Sequence, residues 1–346
     1  MERLTNPAPD DQPSVAAGPA PRAWTLTDGH AGNRRQAGAL ASALGGATRD
    51  VVLQSRAPWR WLAPRRLPGA ARAAFGPDFA RALAQPPRLA IGCGRQAALA
   101  TRLLRERALR QAQDERVRTV QILDPRIDPS HWDLVVVPQH DGLRGDNVVT
   151  LLGSLNPVDD AWLAGARAQF AAFAELPSPR TALLLGGDSA HWHFDAAAFE
   201  ALAAKLEAAL ARDGGSLLAT ASRRTPAGIA DALRTRFGKF RGVTWRGQAD
   251  GENPYPGLLA WADRIVCTPD SVNMLSEACA TRAPVFVFEP WHLGGRPRNF
   301  VDALLTRGRV REMDAALAPF EAEPLRETAR VAAIVKERLG LQSDNP

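Results

Sequence analysis

The stretch that decides the fold is LPSPRTALLLGG, residues 176–187. Pro177 and Pro179 interrupt a helical run that ends near Glu175, because proline lacks an amide donor and biases its predecessor toward extended backbone. Directly after the break a short apolar run, TALLLGG at 181–187, restarts a pattern that already runs through the first half of the chain. Upstream, AWTLT at 23–27, TRDVVL at 48–53, RLAIG at 88–92, RTVQIL at 118–123 and DLVVVP at 133–138 alternate with helix-length stretches. Downstream, SLLAT at 216–220, GVTWRG at 242–247, DRIVCT at 263–268 and APVFVF at 283–288 do the same. Runs this short and apolar fit strands buried on both faces of parallel sheets wrapped by helices. The expected architecture is α/β, with two tandem halves at 23–176 and 180–320 and the cleft between them as the default site. A disordered lead-in at 1–22 and a C-terminal helix and tail at 321–346 complete the expected organisation.

Composition agrees with a globular chain. Of 346 residues, 45% are hydrophobic and 23% charged, enough for two cores, and no run approaches the ~18 apolar residues of a membrane-spanning helix. Cys93, Cys267 and Cys279 form no CxxC pair, so neither a disulfide framework nor a zinc knuckle is written here. With no secretory core in the first 22 residues, the expected location is cytoplasmic.

The net charge of +6 is uneven: residues 1–160 carry 21 Arg against 16 acidic residues, and 161–346 carry 22 basic against 21 acidic. Between Arg49 and Arg88 eight Arg meet only Asp50 and Asp78. The cluster Trp59, Arg60, Trp61, Arg65, Arg66 in that segment suits an anionic membrane surface, at the inner face of the cell membrane. A packed core with arginine stems laid over it is the plain alternative. No nucleic-acid-binding module accompanies the patch, so nucleic acid is not expected as a partner.

In open parallel sheets ligands bind beyond the carboxyl ends of strands. The first such loop, Thr27-Asp28-Gly29-His30-Ala31-Gly32-Asn33, brings glycines near a helix start where anions bind. Asp28 and His30 suit a base and its orienter, while a turn with Asp28 or Asn33 capping the helix is the structural alternative. In the second half Gly186, Gly187, Asp188 and Ser189 repeat the device. Ser222, Arg223, Arg224 and Thr225 place two guanidinium groups and two hydroxyls before a helix, a combination suited to a diphosphate. After the next strand come Asp270, Ser271 and, six residues beyond Ser271, Glu277. That spacing is not the three of a capping box, and a carboxylate there suits ribose hydroxyls. His191 and His193 lack a third ligand, so no metal is expected. Gly92-Cys93-Gly94-Arg95-Gln96-Ala97 fits GxGxxA with Asp124 further on, the basis of an alternative NAD-linked oxidoreductase or epimerase reading.

TLTDGHAGNRRQ, IGCGR, VVVPQHDG, ASRRTP and TPDSVNMLSEACATRAPVFVF together resemble the mitochondrial-fission ELM family, from about Trp24 to Arg309. That family looks related to GT-B glycosyltransferases, and Asp270 to Phe288 is similar to the donor-binding segment of the lipid II N-acetylglucosaminyltransferase. The resemblance implies a GT-B-like fold, two Rossmann-like domains with parallel sheets facing a central cleft, with Glu277 as ribose ligand and no cofactor beyond a nucleotide-sugar substrate. Gly29, Gly32, Asn33, Gln36, Gly94, Arg95, His140 and Asp141 would then lie on the acceptor side. The first loop departs from the transferase's denser glycine run, which leaves the base and the acceptor open. Two functions follow from the resemblance: a metal-independent sugar transferase acting on a lipid-linked acceptor, or a non-catalytic membrane-surface scaffold like the plant member, which brings a dynamin-related protein to mitochondria.

Overall fold

A computed structural model describes residues 23–111 and 117–341. The lead-in expected at 1–22 and the tail at 342–346 lie outside the described residues. The first half runs β1 (Ala23–Thr27), α1 (Ala31–Leu44), β2 (Thr48–Val52), α2 (Trp59–Leu62), α3 (Ala70–Ala73), α4 (Gly76–Ala82), β3 (Leu89–Cys93), α5 (Arg95–Gln111), β4 (Arg118–Ile122), β5 (Leu134–Pro138) and β6 (Val148–Leu151). After α6 (Asp160–Gln169), the second half runs β7 (Arg180–Leu185), α7 (Ala196–Asp213), β8 (Ser216–Ala221), α8 (Ala227–Phe237), β9 (Gly242–Trp245), α9 (Tyr255–Trp261), β10 (Arg264–Cys267), α10 (Val272–Cys279), β11 (Val285–Val287), α11 (Gly295–Thr306) and β12 (Val310–Glu312). The final helix is α12 (Glu327–Leu339).

Each half carries one six-stranded parallel sheet, ordered β2-β1-β3-β4-β5-β6 and β12-β11-β10-β7-β8-β9. Strand order reverses between β1 and β3 in the first sheet and between β7 and β10 in the second, and at such points the connecting loops diverge to leave a crevice. The loops after β1, β3, β7 and β10, all singled out in the sequence, therefore flank the two natural binding points. The central strands β1, β3, β7, β8 and β10 are buried along nearly their whole length, as expected of strands covered by helices on both sides.

Packing divides the chain earlier than the proline break. Val158, Leu163, Ala166 and Phe173, expected in the first domain, are buried in the core of the second, because α6 lies against α9. Conversely Val331, Ala332, Val335 and Leu339 of α12 are buried with Leu40, Ile91 and Val136 of the first half. The chain thus crosses between halves twice, and the crossings are bonded together. Leu152 N–H donates to Glu327 at 2.9 Å and Asn156 N–H to Thr328 Oγ1 at 2.9 Å, while Arg326 reaches the Val158 carbonyl at 2.9 Å. Gly153, at φ +83°, sits where a Cβ would run into Ser276 Oγ and the Phe300 ring of the second half. Ser154 N–H donates to Ser276 Oγ at 3.0 Å.

Candidate functional site

A crevice of about 310 Å³ lies between the halves, beyond the carboxyl ends of β8 and β9. Ala31, Gly32 and Arg35 line it from the first half, and Ser222, Arg223, Trp245, Tyr255, Asn273 and Glu277 are among its lining from the second. Gly32 approaches so closely that a Cβ there would meet the Asn273 side-chain amide. The N-terminal turns of α1 and α10 therefore face each other across the gap, and both bring the positive ends of their helix dipoles to it.

Glu277 is the buried charge of this crevice. Only 3% exposed, it accepts a hydrogen bond on Oε2 from the Tyr255 hydroxyl at 2.5 Å, and its Oε1 stands 2.6 Å from Arg35 Nε. The Arg35 Nε–H lies off the line to the carboxylate, so this contact is an ion pair and not a straight hydrogen bond. Burial pushes the Glu277 carboxyl above its ordinary value, and the Arg35 charge and the Tyr255 hydroxyl pull it back part of the way. Burial likewise lifts the Tyr255 phenol well above its usual range, reinforced by Glu277, which keeps it a donor. Arg223 is exposed in the crevice and has no hydrogen-bond or ion-pair partner among the described residues.

Arg224 has a different job. It donates to Asp270 at 2.5 Å and to the Asp188 carbonyl at 3.2 Å, so of the two neighbouring arginines only Arg223 lines the crevice. Asp270 also accepts from Thr268 Oγ1 at 2.7 Å and from the Gly187 amide at 3.2 Å. Gly186 and Gly187 are buried: a Cβ on the first would strike the Asp270 carboxylate, and one on the second the Arg224 backbone. The glycine pair thus serves the packing of three loops. Thr225 Oγ1 donates to the Gly186 carbonyl, and Ser222 Oγ accepts the Arg224 amide at 3.2 Å. Ser271 caps α10, accepting from Met274 N–H at 3.4 Å. Asp188 accepts the Phe194 amide at 2.7 Å, and Ser189 Oγ accepts that of His191 at 3.2 Å; both hold the loop containing His191 and His193.

In the first half Asp28 Oδ1 gathers the Asn33 side-chain amide at 2.9 Å, the His30 amide at 3.1 Å and His30 Nδ1 at 3.0 Å. Burial raises the Asp28 carboxyl, but the bonds from Asn33 and His30 outweigh it and hold it below its ordinary value. His30 is the N-cap residue of α1, with a side chain 80% exposed beside the crevice-lining Ala31. Gly29, at φ +84°, passes against Val52, and Gln36 is buried. In the GxGxxA run the space beside Gly92 is filled by Gln121 and Thr101, and that beside Gly94 by Asn33; those glycines let helix and loop approach the strand. Arg95 reaches the Arg60 carbonyl at 3.5 Å. His140 packs on Phe300, and Asp141 pairs with Arg296 at 3.0 Å, both across the interdomain seam.

The cluster with Trp59 is split by the fold. Trp59 packs against the first-half core, whereas Trp61 is 67% and Leu62 40% exposed, next to exposed Arg60 and Arg65; Arg66 is tied to Glu106 at 2.9 Å. Sequence reasoning missed Arg35, Tyr255, Trp245 and Asn273. Arg35 reads as one more arginine in a helix, and nothing local marks Tyr255 or Trp245 as neighbours of Glu277.

The model of the family described as mitochondrial fission ELM1 matches residues 31–339. The chain belongs to the mitochondrial fission ELM1 family. Mitochondrial fission protein ELM1 of Arabidopsis thaliana is 31% identical over 282 residues, which are 73% of this chain and 64% of that protein. The match therefore spans less than two thirds of the plant ELM1. Uncharacterized protein RP120 of Rickettsia prowazekii is 25% identical over 356 residues, 90% of this chain and 97% of that one. Among solved structures, UDP-GlcNAc 2-epimerase from Methanocaldococcus jannaschii has a TM-score of 0.54 at 12% identity, over 91% of this chain and 99% of that one. MurG from Acinetobacter baumannii has a TM-score of 0.46 at 11% identity, over 92% and 91%. The likeness to solved structures is one of fold: this ELM1-family chain is GT-B-like, with two Rossmann-like domains around a cleft. No helix among its described residues is long and apolar enough to cross a membrane.

Proposed function

We propose that the interdomain crevice binds a nucleotide-sugar and that the chain transfers the sugar to a membrane-associated acceptor. The observation that carries this reading is the buried Glu277 carboxylate on one side of a crevice that also holds Arg223, without a partner among the described residues, and the facing N-termini of α1 and α10. Glu277 suits a ribose diol, and Trp245, held by its indole N–H to the Gly251 carbonyl at 3.2 Å, offers a flat face to a base. Arg223 and the helix ends suit a diphosphate. In transfer the acceptor oxygen bonds to the anomeric carbon as the bond to the diphosphate breaks, and the acceptor proton passes to a base. Asp28, held low in pKa, is a weak base and a good orienter, so His30 takes the proton. Exposed Trp61 and Leu62, with Arg60 and Arg65, suit an anionic bilayer, where each cation contributes about 1 kcal/mol.

A second reading is specific to this site: both Glu277 oxygens already have partners in Arg35 and Tyr255, as in a scaffold that kept the fold without the ligand. Thermal shift with UDP-, GDP-, ADP- and CMP-sugars separates the two, since a ligand that binds only the folded chain raises its melting temperature. A rise with one nucleotide class supports the transferase, and no rise across the panel favours the scaffold. Sedimentation with anionic vesicles, lost in Trp61→Ala combined with Arg60→Ala, tests the surface.

A further inference from the structure

We propose that Arg35 is a positioning residue of the nucleotide site, reaching across the cleft from the first half to keep Glu277 ready for the ribose diol. This rests on the nucleotide reading above and adds to it a residue from the opposite half. An ionised carboxylate offers about four acceptor directions, two on each oxygen. Tyr255 occupies one on Oε2 and Arg35 stands against Oε1, which leaves one direction on each oxygen for two neighbouring hydroxyls. Arg35 is held for the purpose, its guanidinium 5.4 Å from the Tyr255 ring centroid.

A mere tie between the halves is a poor account of this pair. The seam already has the Asp141–Arg296 ion pair, the Ser154–Ser276 hydrogen bond and the bonded double crossing. Replacing an ion pair at 2.6 Å by a neutral group leaves Glu277 buried without a countercharge, and such a carboxyl takes up a proton. A protonated Glu277 cannot accept both hydroxyls. The other groups near it do not take over: Tyr255 is a neutral donor, Asp270 is bound to Arg224, Cys267 beyond Tyr255 is a thiol raised by burial, and Arg223 lies in the crevice without contacting the carboxylate. Because Arg35 and Glu277 belong to different halves, the ribose end is complete only while the halves touch.

The test is calorimetric titration of the full chain with UDP, GDP and ADP and their 2′-deoxy counterparts, at about pH 6 and about pH 8. The wild type is expected to bind one of the three with an affinity that changes less than about threefold over this range. Arg35→Gln is expected to bind it about tenfold or more weaker at the lower pH, with the deficit shrinking at the higher pH as Glu277 ionises. The 2′-deoxy form, which has one hydroxyl fewer for Glu277, is expected to show a smaller Arg35→Gln deficit. Arg35→Lys, which restores the charge, is expected to recover the flat pH profile and keeps the test decisive if the Gln variant does not fold. Arg223→Gln is expected to weaken binding equally at both pH values. Equal affinity and equal pH profile in Arg35→Gln and wild type would overturn the role of Arg35 while leaving the nucleotide reading intact. No binding of any of the three by the wild type overturns both.

Discussion

Asp270→Asn tests the loop architecture on which the crevice stands. The Asp270 side chain is fully buried and accepts from Thr268 Oγ1, the Gly187 amide and Arg224. In the asparagine variant one acceptor oxygen becomes an NH2 group, which then meets either two donors, Gly187 N–H and Arg224, or the Thr268 hydroxyl. Arg224 is 44% exposed and can turn to water, so its share is discounted. The second arrangement is the cheaper: the amide oxygen keeps Gly187 N–H and Arg224, the NH2 donates to Thr268 Oγ1, and the buried Thr268 hydroxyl hydrogen is left without its acceptor, which costs about 1–3 kcal/mol. The expected loss is about 2 kcal/mol, or roughly 4–8 °C in melting temperature for a unit of this size, at about 2–4 °C per kcal/mol. Scanning calorimetry and urea melts measure it. Asp302→Asn, which removes a surface carboxylate paired with Arg298 within one helix, serves as control and is expected to stay within about 0.5 kcal/mol. An Asp270→Asn transition within about 2 °C of wild type would show that the three loops hold together without this carboxylate.

Cys93, Cys267 and Cys279 are all buried, and burial pushes their thiols up, to about 12 for Cys279; Ellman's reagent at about pH 8 should label none in the native chain and all three in denaturant. Gly153→Ala should cost about 2 kcal/mol or more, because a Cβ at positive φ runs into Ser276 and Phe300; small-angle scattering should show the halves moving apart. Arg246 holds the Asp250 carboxyl down at about 2, from 3.8. A depressed carboxyl stabilises the fold above its unfolded pKa and loses that contribution as pH falls through the folded one, so Asp250→Asn should be less stable than wild type at neutral pH. The gap should close between about 4 and about 2, as read from acid titration of far-UV circular dichroism.

Much of the fold was legible in the short apolar runs. AWTLT coincides with β1, and the runs at 118, 181, 216 and 263 fall within a residue or two of β4, β7, β8 and β10, because central strands need apolar residues on both faces. The strands that went unread, Val148–Leu151 and Val310–Glu312, are the last in their sheets; an edge strand is covered less and can be short, so it leaves a weak signal. The packing of α6 was illegible for a related reason: Pro177 and Pro179 mark a local break, whereas membership of a core depends on what α6 packs against. At the site, Glu277 and Arg223 stood out by position after a strand. Arg224 and Asp270 carried the same signal but are spent on each other. The partners Arg35 and Tyr255 were illegible, since their proximity to Glu277 exists only once two sheets have closed on one another.

The return of α12 to the first half has a bearing on how the molecule is made and moves. Val331, Val335 and Leu339 complete a core begun by β1 and α1, so during synthesis the earlier-made half waits, with an apolar face uncovered, until the whole of the later one has emerged. A single proteolytic cut between the halves would not release either as a finished unit. Two parallel connections also leave less freedom than one: they permit a hinge-like opening of the mouth and resist a swivel about the long axis.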